Sequence, residues 1–388
     1  MRGIKKVGLI GAIVAIGVWL GLGAAAAGTL KIGVITALSG AGALWGKGIL
    51  NGAEMATEEV NARGGVSIRG EKYTVQLVPY DDKYTGAGGV AAANRLVFQD
   101  KVSFIIGSIS SASILAFQEV TEENRVLVLA NSWARETLSP KKPFTLRVFM
   151  TGVEGTPLLV RWLTTTHGGL KTALTIGPND ATGWSITKDA EEAYAKHGIK
   201  FLGKEYYERG TKDFYPVMTR VKGLAPDIIH FTGAPTGDAG LIVKQGREIG
   251  LKSQFVDSTS ADPRTLVEVA GKESAEGYIW GAFFDPNSPK VAAFTKRYQD
   301  KYSRPIPTYV DPAFYQATQA LFYAMEKCQC LQADKVRDTL KRIPEFDGIM
   351  GKFEFGGTES YGIDNQLLSS YYASQVKDGA QVILKQLR

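Results

Sequence analysis

From Thr29 onward, apolar runs of strand length alternate with stretches whose apolar residues recur at helical spacing. Residues 30–38 form a run interrupted only by Lys31, Gly33 and Thr36, as expected of a strand covered on both faces. A glycine-rich segment follows. Then comes a helix from about Gly46, with apolar Ile49, Ala53, Ala56 and Val60 spaced 4, 3 and 4 along one face. Residues 73–80, 102–106 and 126–130 read as the next three strands, each separated by helical sequence. A second series reads as strands at 172–176, 199–206, 228–231 and 254–256, with starts 27, 29 and 26 residues apart. That interval is the length of one strand-plus-helix unit. Two such series predict an α/β protein with two Rossmann-like lobes, each a parallel sheet covered by helices. The tail differs. Residues 289–302, 312–328 and 333–343 read as helices, and short strands are expected near 352–355 and 368–376. These strands are too few for a third domain, so the tail should add to both lobes. The chain then crosses between the lobes more than once, which makes a hinge and a cleft that can close.

The N-terminus stands apart from this pattern. Arg2, Lys5 and Lys6 precede an uncharged stretch from Val7 to Leu30 that ends in Ala24-Ala25-Ala26-Ala27-Gly28. Residues 1–27 read as a secretory signal cleaved near Ala26 or Ala27. The rival is a permanent anchor, since the stretch is long enough to span a bilayer. Five glycines, at 8, 11, 17, 21 and 23, and the alanine run weaken it as an anchor. With no cysteine near the cleavage region, a lipid-modified N-terminus is not expected. The mature protein is expected in the periplasm.

Composition narrows the chemistry. The 388 residues are 44% hydrophobic and 22% charged, values of a folded protein rather than a disordered one. Of the formal charge of +6, three positives lie in the first six residues, leaving +3 for the rest. No basic run is long enough to follow a nucleic-acid backbone, so no nucleic-acid partner is expected. Two cysteines and three scattered histidines (His167, His197, His230) supply neither a disulfide scaffold nor a zinc site. Gly40, Gly42 and Gly46 follow a strand and open a helix, but the spacing is G-x-G-x-x-x-G. Asp81 stands about twice as far on as a ribose-binding acid of a dinucleotide fold would. There is no P-loop, G-x-S-x-G elbow or H-E-x-x-H. Cys328 and Cys330 read as half-buried thiols at a helix end, and His230, inside a strand, as a satisfied core histidine. No catalytic residue, metal or cofactor is predicted, and the chain is read as not an enzyme.

Several segments, in order, resemble the leucine/isoleucine/valine-binding proteins of ABC importers, the type I periplasmic binding proteins. They are Ile32-Gly-Val-Ile-Thr-Ala-Leu-Ser-Gly40, Trp45-Gly46, Asn51-Gly-Ala53, Val60-Asn-Ala-Arg-Gly-Gly65 and Tyr80-Asp-Asp82. Further along stand Ile106-Gly-Ser-Ile-Ser-Ser111, Gln245-Gly-Arg-Glu-Ile-Gly-Leu251 and Ala275-Glu-Gly277. The likeness runs from about Leu30 to the C-terminus. It implies two lobes joined by three crossovers: residues 28–148 and 284–361 in lobe 1, 149–283 and 362–388 in lobe 2. It also implies a branched-chain amino acid or a related small carboxylate held between the lobes, delivery to an ABC permease in the inner membrane, and a monomer. A periplasmic sensor presenting its solute to a receptor is the alternative.

The resemblance carries site residues with it. Trp45 stands where relatives lay an aromatic ring against the solute. Ser110 and Ser111 stand in the loop that holds the solute's carboxylate, and free N–H groups at a helix start favour an anion independently of kinship. The next loop, Ala-Thr in relatives, here reads Asn131-Ser-Trp-Ala134, putting Ser132 and Trp133 at the site. In lobe 2, Thr182 stands where a tyrosine is common, with Trp184 two residues on. The acid that pairs with an amino acid's ammonium falls by spacing at Thr259, which has no charge. Either Asp257, Asp262 or Asp311 supplies the charge, or the solute has no ammonium. An aromatic or branched body behind a carboxylate would suit Trp45, Trp133 and Trp184.

Overall fold

The apolar run after Gly28 becomes β1 (Thr29–Thr36), whose last five residues are all buried. The computed structural model describes residues 28–259 and 262–388, so the expected signal at 1–27 lies outside the described residues. With β1 stand β2 (Val66–Ile68), β3 (Glu71–Asp81), β4 (Phe104–Gly107), β5 (Leu127–Ala130) and β6 (Thr145–Arg147). All but β2 run parallel. Every residue of β4 and β5 is buried, as continuous apolar runs in a doubly covered parallel sheet require. The second lobe repeats the plan with β7 (Thr172–Pro178), β8 (Lys200–Tyr207), β9 (Ile228–Phe231), β10 (Gln254–Asp257) and β11 (Ile279–Ala282). These five strands are also parallel.

The two sheets share one strand order. It is β6-β5-β4-β1-β3 in the first and β11-β10-β9-β7-β8 in the second. In each, the order reverses beside the first strand, between β1 and β4 and between β7 and β9. Loops leaving the carboxyl ends of strands diverge at such a reversal and open a crevice, where ligands of open α/β sheets lie.

The tail completes both lobes. The helices Pro289–Tyr302 and Val310–Cys328 pack on lobe 1 against the helix Ala43–Ala62. A side chain at Gly52 would come within 2.4 Å of the Asp311 carbonyl, so the last two of these helices meet backbone to backbone. A hairpin of β12 (Asp347–Gly348) and β13 (Gly351–Lys352) follows. Next come β14 (Phe355–Gly356) and β15 (Gln366–Leu367), which extend the first sheet. β16 (Tyr372–Lys377) and β17 (Ala380–Gln386) extend the second. The chain therefore passes between lobes three times, after β6, β11 and β15. Since β15 pairs with β6, the third passage falls after Leu367 rather than at residue 361. Among the described residues, no helix is long and apolar enough to cross a membrane.

Other departures from expectation are local. The strand expected at 352–355 is two, divided between Lys352 and Phe355, and the one expected from 368 starts at Tyr372. Cys328 and Cys330 are not thiols but a disulfide. Gln329, in the left-handed region at φ 51°, ends the helix and turns the chain back so that the two residues face each other. His230 is as expected. Its Nδ1 meets the Tyr194 hydroxyl at 2.8 Å and its Nε2 the Ser258 hydroxyl at 3.0 Å, and burial pushes its pKa down to about 3.

Candidate functional site

The loops after β1, β4, β7 and β9 meet across the gap between lobes. They bring Trp45, Ile109, Thr182, Gly233 and Ala234 around a cavity of about 40 Å³. Tyr84, Trp133, Arg209, Thr259 and Tyr309 complete its wall. Four of the residues picked from the sequence, Trp45, Trp133, Thr182 and Thr259, are thus gathered at one place. The lobes touch here. The Thr182 hydroxyl donates to the Ser111 hydroxyl at 3.3 Å. The Arg135 guanidinium of lobe 1 meets Asp189 and Glu192 of lobe 2 at 2.6 Å each.

Other residues picked from the sequence have different duties. The Ser110 hydroxyl caps the helix Ser111–Glu123, accepting from the Ser113 amide. That of Ser111 accepts from the Trp133 amide at 3.0 Å. The Ser132 hydroxyl is bonded to Thr137 and accepts from the Ala134 amide. Trp184 does not join the cluster: it is 52% exposed, and its indole donates to Asn179. Asp311 is fully buried between helices of lobe 1, bonded by Asn51 and Thr308, and does not line the cavity. Asp257 is also committed. It accepts from the Thr259 amide and hydroxyl and from Tyr278, and burial pushes its carboxyl up to about 6. Asp262 caps the helix Pro263–Ala270 and pairs with Arg264 at 3.3 Å. None of the three aspartates lines the small cavity.

Its charge comes from Arg209, a residue the sequence reading passed over. Asp180 sits at the N-cap of the helix Ala181–Lys196, where it accepts from the Thr182 and Gly183 amides. Its other oxygen takes the Arg209 Nε at 2.7 Å. The guanidinium lies over the Tyr84 ring, 5.2 Å from its centre, and its Nη1 is buried without a partner. The clue was position: Arg209 follows the carboxyl end of β8, the side on which such sheets bind ligands. Asn131, at the end of β5, is a second unsatisfied group, with both side-chain polar atoms buried and unpartnered. The loop that carries it is held by Arg147, which donates at 3.0 Å to the carbonyls of Ser132 and Ala134. Among the described residues no cluster could hold a metal ion.

Residues 29–381 match the family model described as periplasmic binding protein. The chain belongs to the periplasmic binding protein family. An amino acid binding protein of Pseudomonas aeruginosa is 31% identical over 257 residues, 65% of this chain and 66% of that relative. A Leu/Ile/Val-binding protein homolog of Brucella abortus is 26% identical over 328 residues, 84% of this chain and 86% of the relative. A solute binding protein of an ABC transporter from R. palustris, solved in complex with benzoate, superposes with a TM-score of 0.78 at 18% identity. That superposition covers 93% of this chain and 96% of the other. The fold is that of a type I periplasmic binding protein, and the likeness to the leucine/isoleucine/valine-binding proteins holds. A periplasmic binding protein of this kind binds a solute and performs no reaction on it.

Proposed function

We propose that this periplasmic binding protein is the solute-binding component of an ABC importer and takes a small carboxylate without an α-amino group. The observation that carries the reading is the polar wall of the small cavity: a guanidinium that Asp180 holds at Nε but whose buried Nη1 stays without a partner, and no carboxylate among the described lining residues. A carboxylate is the natural partner for that guanidinium. Among these side chains an α-ammonium would find hydroxyls, at Tyr84, Thr182, Thr259 and Tyr309, but no counter-charge, and leaving a charge desolvated without one costs several kcal/mol, roughly. Trp45, Trp133 and Tyr309 offer an apolar or aromatic body its surface. Solute bridging the lobes shifts the hinge towards the closed form, which docks on an inner-membrane permease.

Competition calorimetry between leucine and 4-methylpentanoate, its counterpart without the amino group, tests this. The acid should bind more tightly by about 1–3 kcal/mol. Micromolar leucine binding with no detectable binding of the acid would return the protein to the amino-acid group. Export is part of the same reading, and mass spectrometry of the mature protein should place its N-terminus between Ala25 and Thr29. A chain retaining Met1 in the membrane would refute export by cleavage.

A further inference from the structure

The small cavity has room for little more than about one or two waters, yet it does not stand alone. A second cavity, of about 410 Å³, adjoins it, and Trp45 and Tyr309 line both. That volume lies within the range of pockets that enclose small organic ligands. Its walls come from both lobes and from the second passage between them: Trp280 from lobe 2, Ile306 and Pro307 from lobe 1, Phe283 and Phe284 from the passage. The charged side chains of this wall, Asp262 and Arg264, pair with each other at 3.3 Å. Arg264 also donates to the Ile306 carbonyl at 2.7 Å, tying lobe 2 to lobe 1 at the cavity's border. The charge is spent there, and an apolar group is what the remaining surface suits.

Resting on the carboxylate reading above, we propose that the solute is an elongated amphipathic monocarboxylate. Its carboxylate pairs with Arg209, and its apolar chain runs past Trp45 and Tyr309 into the larger cavity. A free branched-chain amino acid has no atoms to fill that space. An alkyl chain of about six to eight carbons, or an aryl group on a short chain, does. Because both lobes wall the cavity, filling it joins them, so chain length should act through closure as well as through contact.

Titration calorimetry of the mature protein with butanoate, hexanoate, octanoate and 4-phenylbutanoate tests the proposal. Burying each methylene is worth about fourfold in affinity when complete, so octanoate should exceed butanoate by at least about tenfold. Two variants intrude on the larger cavity alone: Ala282→Phe from the end of β11, and Thr295→Phe from the helix Pro289–Tyr302. Each should erase most of the gain for octanoate while leaving butanoate within about twofold, with thermal unfolding verifying that the variant is folded. Thr295 is only half-buried, so its variant keeps the test open if Ala282→Phe does not fold. Equal affinities from butanoate to octanoate would overturn the elongated solute and leave the carboxylate reading standing. So would octanoate bound at native strength by a folded variant. Failure of every carboxylate, with leucine bound, would overturn both.

Discussion

A guanidinium buried with a nitrogen unpartnered is costly until an acceptor arrives, and that is the state of Arg209. Asp180 fixes its Nε and Tyr84 lies beneath its plane, so the group is oriented before any solute enters. Such preorganisation lets a charge-assisted hydrogen bond act at nearly full strength. Arg209→Gln should therefore weaken carboxylate binding by about 1.5–3 kcal/mol. Trp184→Ala should leave affinity unchanged, since that indole stands in solvent beside Asn179. Calorimetry on both variants checks the pair, and an unaltered affinity in folded Arg209→Gln would remove the guanidinium from the site. Ser111 looks different at this scale. Its hydroxyl accepts from Trp133 and Thr182, so it shapes the cavity wall and joins the lobes.

At the scale of elements, the loop after β5 shows how a site is held. Arg147 is fully buried on β6, and it donates to two carbonyls of that loop and to Gln366 on β15. Arg147→Met would orphan these acceptors and should lower unfolding free energy by about 2–4 kcal/mol, read by urea denaturation. A loss under about 0.5 kcal/mol would mean that the loop keeps its shape without the arginine. Arg147 also marks the limit of what the sequence conveys. Central strands such as β4, β5 and β9 were legible because burial on both faces writes a continuous apolar run. β6 (Thr-Leu-Arg) is short and ends on a buried charge, and two-residue strands such as β14 and β15 are set by their partners, not by local pattern. Trp45, Trp133, Thr182 and Thr259 were legible through kinship of order and spacing. Arg209 was not, because its role arises from a partner, Asp180, on a different loop. The disulfide was hidden for a similar reason, resting on one left-handed residue, Gln329.

The whole molecule is a hinge whose closed form must be favoured by contacts between lobes. Arg135 supplies one on lobe 1, pairing with Glu192 and donating to Asp189 Oδ1, a bond that a protonated carboxyl still accepts, on the helix Ala181–Lys196 of lobe 2. Asp189 is buried, with Oδ2 unpartnered. Burial pushes its carboxyl up to about 7, against the opposing pull of Arg135 and Arg147 and with the help of nearby Glu154. If parting the lobes brings water to this carboxyl, its pKa falls back towards the ordinary 3.8. The closed form therefore holds a proton between about pH 4 and 7 that the open form releases. By linkage, this contribution to closure is full below about pH 4 and is lost as pH rises through 7. His230 and Asp257 also titrate abnormally, but each is enclosed within lobe 2 by Tyr194 and Ser258 or by Thr259 and Tyr278. They bear on folding rather than on closure. Affinity for a carboxylate already ionised, measured from pH 5.5 to 7.5, should fall by up to about tenfold per unit. In Asp189→Asn the carboxyl cannot titrate, so the profile should be flat across that range. A native profile as flat as the variant's would show that Asp189 keeps the same proton affinity whether the lobes are open or closed.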